Sequence, residues 1–269
     1  MFKFCFWNLK DRPLAQHVRR IVESQGIDLL VLAESPYRPG ELLNELSEGV
    51  SPLMQFCDGK CDSVQVFSRF PSVDVRPLQE ANRYTIRSVT LPATDFLFIG
   101  VHLKSKTWAN AETQLLDCQQ LASDIRRIEG EIGHERTVLV GDLNMNPFDP
   151  GVSACRGLNA LMFRERVTAG PRSYHDQDYP HFYNPMWSRM GDLRAGPPGT
   201  YFYRDSNDVC HYWHMLDQVL IRSALVSSFL PDELRILESD GVDSLLAKHG
   251  DLTVPSVSDH LPLVFALDL

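Results

Sequence analysis

The sequence has no long hydrophobic run. No stretch approaches the roughly 20 apolar residues that a membrane-crossing helix needs, so no membrane partner is expected. The chain begins Met1-Phe2-Lys3-Phe4-Cys5-Phe6-Trp7, without an extended apolar core or a small-residue cleavage site. That is not the pattern of a secretion signal, and a cytoplasmic location is the expectation. Positive charge is scarce as well. Lys and Arg number 26 against 35 Asp and Glu, a formal charge of −9. Phosphate backbones are gripped by clustered cations, so this balance excludes a general nucleic-acid sponge. It leaves room for an enzyme with a local basic rim around acidic metal-binding groups. Six cysteines are present, and without a secretion signal they are expected as free thiols. Cys57 and Cys61 lack a second Cys/His pair at zinc-finger spacing and read as a loop or core pair. Internal repeats and low-complexity tracts are absent.

What is present is an alternation of short apolar runs and helical periods. Phe2, Phe4 and Phe6 share one face of an opening strand. Leu14, Val18, Ile21 and Val22 recur at helical spacing, with Gly26 placed to end the helix. Ile27–Ala33 is a buried strand by its nearly unbroken apolar run. Further strands are expected at 63–67, 87–91, 96–102, 137–140, 215–221 and 263–267, and a helix at 111–128. Strands outnumber helices and interleave with them, which gives an α/β or α+β protein with extensive sheets. Residues 170–213 stand apart, irregular and rich in aromatic rings, and such segments are usually functional or flexible. We read them as part of a single domain covering 1–269.

The polar residues of interest sit at the ends of apolar runs. Asn8 follows Phe2–Trp7, Glu34 follows Leu29–Ala33, and His102 follows Phe96–Val101. Asp142 and Asn144 follow Val138–Val140, Asp217 opens a late strand, and Ser258-Asp259-His260 precedes Leu263–Leu267. Any one of these alone is commonly a turn former or a solvated edge residue. Together they make a cluster of carboxylates with few cations nearby, which is repulsive unless a cation sits within it. Asp142 and Asn144 are two apart, so in extended chain they point the same way. A carboxylate beside His260 would fix its tautomer and raise its basicity, an arrangement suited to activating water.

These pieces resemble the endonuclease/exonuclease/phosphatase superfamily. The matching segments are Trp7-Asn8, Glu34, Ser68-Arg69-Phe70-Pro71, Gly100-Val101-His102-Leu103, Gly141-Asp142-Leu143-Asn144, Leu216-Asp217-Gln218-Val219-Leu220 and Ser258-Asp259-His260. They occur in the family's order along nearly the whole chain. The resemblance implies a four-layer αββα sandwich, two packed mixed β-sheets flanked by helices, and Mg²⁺, with Mn²⁺ as a substitute. It implies Glu34 as principal metal ligand, with Asn8 and Asp259 completing or flanking the site. It implies His260, oriented by Asp217, as general base or phosphate contact. Asp142 would position or deprotonate the attacking water, Asn144 would hold a non-bridging oxygen, and His102 would meet the phosphate or the leaving oxygen. Abasic-site endonucleases carry an acid two positions after the first Asn, where this chain has Lys10. That departure puts a second or shifted metal site in doubt.

The substrate is less clearly written. Lys104, Lys106 and Trp108 follow His102, and cations beside an aromatic suit a phosphate backbone and a stacked base. The favoured expectation is a nuclease acting on DNA or RNA; the alternative is a phosphatase or phosphodiesterase for a small or lipid-derived phosphate ester. At least half the rings of the aromatic segment are expected to form a satellite core. Substitution of Glu34 or His260 is expected to remove activity with little loss of stability. Asn8 and His260 are expected within roughly 10 Å of each other if they share one metal–phosphate site.

Overall fold

The structure is a computed structural model that describes residues 1–47, 54–71, 74–205 and 211–269. Two mixed sheets carry it. One has the strand order Arg235–Ile236, Leu263–Leu267, Phe2–Asn8, Leu29–Ala33, Val64–Ser68, Gln55–Phe56. The other runs Val75–Glu80, Tyr84–Thr90, Asp95–His102, Thr137–Asp142, Asp217–Arg222, Phe182–Tyr183, Ala160–Leu161. The strand alternation decides how they pack. Phe2, Phe4 and Phe6 point into the space between the sheets, with Phe96, Phe98, Val138, Val140 and Phe265. The Phe4 and Phe265 rings stack there with centroids 4.5 Å apart. The alternate residues Cys5 and Trp7 face outward into a second core with helix Ala15–Gln25. On the far side Leu97, Ile99 and Leu139 pack against helix Ala111–Ile132. Helices thus cover both outer faces of the paired sheets, the expected four layers.

Helix Ala15–Gln25 ends at Gly26 in the left-handed region, φ 66°, as its position predicted. Helix Ala111–Ile132 opens on Asn110, whose side chain accepts the Thr113 N–H. It is clamped to the sheet by a buried pair: Arg222 donates to both carboxylate oxygens of Glu129 at 2.9 and 3.1 Å. Cys57 and Cys61 are buried in the inter-sheet core, which fits the core-pair reading. The five described cysteines are free; Cys210 lies outside the described residues. No helix among the described residues is long and apolar enough to cross a membrane.

The 170–213 segment is built of short pieces. Arg172–Tyr174 pairs with Gln177–Tyr179, Phe182–Tyr183 joins the seven-stranded sheet, and Tyr201–Phe202 pairs with Trp213–His214. Tyr179, Phe182, Tyr183 and Phe202 are buried, and of these Phe182 and Tyr183 pack into the main cores on the two faces of the seven-stranded sheet, not into a separate core of the loop. Strand Val75–Glu80 and helix Pro39–Ser47 were not anticipated. The strand is an edge containing Pro77 with one buried residue, and so shows no alternation.

Asp240 ties helix Ala15–Gln25 to the loop before the last strands. It accepts from the Val242 and Asp243 N–H groups at 2.8 and 2.6 Å and meets His17 and Arg20 at 2.7 and 3.1 Å. Burial alone would raise its pKa, but the two N–H groups, His17 and Arg20 outweigh burial and push it down to about 2. A depressed carboxyl pKa stabilises the fold above the unfolded value of about 3.9, and that stability is lost as pH falls through the folded value. Asp240→Asn is expected to cost on the order of 2 kcal/mol at pH 7. In urea titrations the gap from wild type should shrink as pH falls from 4 toward 2; a gap independent of pH would contradict this.

Candidate active site

Strand register builds the centre. His102 stands opposite Asp142 on the parallel neighbouring strand, and Asp217 stands opposite Asp142 on the antiparallel one. Three adjacent strands therefore place His102, Asp142 and Asp217 in one row at a sheet edge. Gly141 is required for this closeness, since a Cβ there would fall 1.8 Å from the Val101 carbonyl oxygen. The other sheet delivers Asn8, whose register partner is Ala33, so Glu34 emerges directly beside it. The Asn8 amide nitrogen donates to Glu34 Oε1 beside it at 3.1 Å and, across the gap between sheets, to Asp142 Oδ2 at 3.2 Å. Its oxygen accepts the Lys10 N–H at 3.0 Å. Asn8 thus enters as a donor joining two carboxylates.

The C-terminal motif closes over this row. His260 Nδ1 lies 2.8 Å from Asp217 Oδ2, and its Nε2 lies 3.8 Å from Asp142 Oδ2. Asn8 and His260 approach the same carboxylate oxygen, inside the expected separation. The Trp7 indole donates to the His260 carbonyl at 3.0 Å, and the Ser258 hydroxyl donates to the Asn8 carbonyl at 2.9 Å. The two ends of the sequence are therefore pinned to one another at the site. His102 Nε2 is 3.4 Å from Glu34 Oε1 and 3.8 Å from Asp142 Oδ2. Asn144, in the left-handed region at φ 52°, donates its backbone N–H to Asp142 Oδ1 and its side chain to the Leu103 carbonyl.

In the buried Asp217–His260 pair both ionisations are displaced. Burial raises the pKa of Asp217, against the pull of His260. Burial would lower His260, but Asp217 and Asp142 outweigh it and raise the imidazole to about 9. The expectation of little stability loss in His260→Ala is corrected by this geometry. His260 is 4% and Asp217 0% exposed, so removing the imidazole leaves a buried carboxylate without its partner, at about 3–5 kcal/mol for such a break.

Lys104 and Lys106 line a cleft of about 1020 Å³ over the row, with Lys10, Glu34, Arg83, Trp108, Tyr201, Tyr203, His211 and His214. Lys104 is engaged by Asp117 at 3.6 Å and Lys106 by Asp149 at 3.2 Å. Lys10 does not point away: its ammonium lies 4.0 Å from Glu34 Oε2 and 3.7 Å from Asp259 Oδ2. The sequence reading missed four residues that matter here. Thr200 is fully buried; its hydroxyl accepts the Leu216 and Asp217 N–H groups, and its carbonyl accepts the Leu261 N–H. Asn146 bonds His214 and the Met215 N–H. Gln114 donates to the Lys104 and Asn144 carbonyls from inside a helix, where periodicity marks only apolar positions. Arg83, whose carbonyl accepts the His102 N–H, lines the cleft with a guanidinium that has no ion pair or hydrogen bond among the described residues. Only the Gly199-Thr200-Tyr201 segment before the late strand offered a signal for any of them.

The model of the endonuclease/exonuclease/phosphatase family matches residues 5–260. The chain belongs to this family. Hydrolysis of phosphate esters is accordingly its reaction class. No curated protein matches the sequence. Among solved structures it is similar to a 3′ phosphatase, NExo, from Neisseria bound to a product DNA hairpin, at 17% identity and TM-score 0.56, with 100% of both chains covered. It is similar also to the endonuclease domain of TRAS1, a telomere-specific non-LTR retrotransposon, at 14% identity and TM-score 0.54, with 100% and 99% covered. A third is D. rerio TDP2 complexed with a single-strand DNA product, at 13% identity and TM-score 0.54, with 98% and 97% covered. Identities this low show the shared fold alone.

The site's chemistry fits a divalent ion. Its donors are hard carboxylate oxygens, which suit such an ion. Asp142, Asp217 and His260 can bring ligand atoms within 4.8 Å of one another. Asp217 and His260 already satisfy each other, however. Glu34 lines the cleft, Asp259 stands behind Lys10, which bridges the two carboxylates, and Asp259 Oδ1 is buried without a hydrogen-bond donor among the described residues. That orphaned oxygen is the vacancy in the polar network that a cation would complete.

The Asp217–His260 pair makes its own prediction. With Asp217→Asn, NMR titration of the metal-free protein should find the His260 pKa at least one unit below its value of about 9. An unchanged value would show that Asp217 is not what holds the proton on His260.

Proposed function

We propose that the chain, acting as a single domain over 1–269, is a divalent-metal-dependent nuclease. It hydrolyses phosphodiester bonds by in-line attack of water, with Mg²⁺ as the expected ion and Mn²⁺ as a substitute. The observation that carries the nucleic-acid reading is Trp108. Its indole is 81% exposed at the rim of the cleft, beside Lys104 and Lys106. A large solvated ring next to cations is a stacking platform for a base. The carboxylate partners of the two lysines do not prevent a role at phosphate, because such exposed pairs are weak and exchange readily.

Glu34 and Asp259 are the residues that would hold the ion, with Asn8 fixing Glu34 through its amide. The ion would supply positive charge against the phosphate and the developing oxyanion. Asp142 carries the best position to orient the attacking water. One oxygen accepts from Asn8 and the other from the Asn144 N–H, so the carboxylate is rigid. His260 keeps its Nδ1 on Asp217 and turns Nε2 toward Asp142. A protonated imidazole there donates to a non-bridging phosphate oxygen. His102 is placed to meet the phosphate or the leaving oxygen from the other side of Asp142. Beyond the bond to Leu103, the Asn144 side-chain oxygen and one amide N–H have no hydrogen-bond partner among the described residues.

A second reading has its own observation. Of the cations lining the cleft, Lys10, Lys104 and Lys106 are each engaged by carboxylates, and Arg83 is not, among the described residues. One uncommitted guanidinium suits a single phosphate group, as on a small or lipid-derived ester. Incubation with Mg²⁺ or Mn²⁺ and a panel of single- and double-stranded DNA, RNA, phosphomonoesters and small diesters separates the two. We expect metal-dependent cutting of a polynucleotide, reduced at least a hundredfold in Glu34→Gln, with Trp108→Ala raising KM severalfold. Turnover of small esters alone, with KM raised by Arg83→Ala and untouched by Trp108→Ala, would replace the nuclease by the second reading.

A further inference from the structure

Lys10 is held where a stray surface lysine would not be. Lys10 and Asp11 both occupy the left-handed region, at φ 56° and 53°, a conformation unfavourable for two successive residues with side chains. The turn persists because neighbours hold it. Leu9 N–H donates to the Ala33 carbonyl, Asp11 N–H to the Glu34 carbonyl, and Lys10 N–H to the Asn8 side chain. The turn is thereby fastened to the backbone of Glu34, and it carries the ammonium back over the site. There the ammonium stands 4.0 Å from Glu34 Oε2 and 3.7 Å from Asp259 Oδ2. It neutralises one oxygen of each carboxylate and leaves Asp259 Oδ1 without a partner.

We propose that Lys10 is a resident counter-ion that competes with the divalent ion for Glu34 and Asp259 and so sets the affinity of the site. This rests on the ion-binding reading of those two carboxylates. Two carboxylates that face one ammonium from either side repel each other, and the tethered ammonium relieves that repulsion in the metal-free protein. A divalent ion between them would lie close to the same ammonium. Like charges of that size a few ångströms apart repel each other appreciably even when well solvated. Lys10 is half-exposed, so its side chain can move to solvent when the ion binds, at the cost of both ion pairs. The outcome is a site that stays assembled without metal and fills only at higher ion concentration.

The test is the dissociation constant of Mn²⁺, measured by calorimetry on the full chain without substrate. Wild type, Lys10→Met, Lys10→Arg and Glu34→Gln are compared, with thermal melting of each in the presence and absence of Mn²⁺. Lys10→Met should bind Mn²⁺ at least tenfold more tightly than wild type. It should melt lower without metal and gain more from Mn²⁺, while Lys10→Arg stays within about threefold of wild type. An affinity in Lys10→Met that is unchanged or weaker would overturn the proposal, as would a lower melting point with no larger response to Mn²⁺. If Glu34→Gln leaves wild-type affinity intact, the ion-binding reading itself fails and the proposal with it. That result is distinct from a failure confined to the Lys10 variants.

Discussion

Carboxylates crowded at one edge of two packed sheets are the constraint around which this molecule is arranged. Asp142, Asp217, Glu34 and Asp259 are brought together by strand register and strand-end position, and each must be matched by a donor or a cation. The fold supplies these from every direction. His260 serves Asp217, the Asn8 amide joins Glu34 to Asp142, and the Lys10 ammonium spans Glu34 and Asp259. Asp259 Oδ1 is left buried without a hydrogen-bond partner among the described residues. Four carboxylates set against one ammonium and one imidazole are a donor set that fits a divalent ion.

Much of this was legible in the sequence because it follows from short-range rules. Period-2 alternation put Phe2, Phe4 and Phe6 on the inter-sheet face, and Gly26 marked a helix end. A polar residue directly after an apolar run becomes a side chain at the open end of a buried strand, which is how Asn8, His102 and Asp142 were found. Pairing across the site was less legible. That Asp217 and Asp142 are register partners depends on strands 75 residues apart in sequence. Thr200, Asn146 and Gln114 do their work through hydrogen bonds to backbone groups, and such contacts leave no period. Lys10 was the instructive case. Its sequence position marked a departure from relatives that carry an acid there, but its two ion pairs depend on a left-handed turn that no pattern disclosed.

The same logic clarifies the acidic total. A net charge of −9 weighs against broad nucleic-acid binding, and the cleft agrees, since three of its four cations are balanced locally by carboxylates. Under the proposed function, attraction to substrate would rest on few groups: the ion, Arg83 and the exposed face of Trp108. Such a protein would engage a strand end or a short segment more readily than a long duplex, because it offers few phosphate contacts along a backbone.

The central claim is that the ends of the chain meet to form one ion site on Glu34 and Asp259. The most direct measurement is the anomalous scattering of Mn²⁺ in a crystal of the metal-loaded protein. A peak is expected within coordinating distance of the Glu34 and Asp259 carboxylates, on the cleft side of Asp142. A peak only at the separate His17–Asp240–Asp243 cluster, or none in the cleft at saturating Mn²⁺, would contradict it.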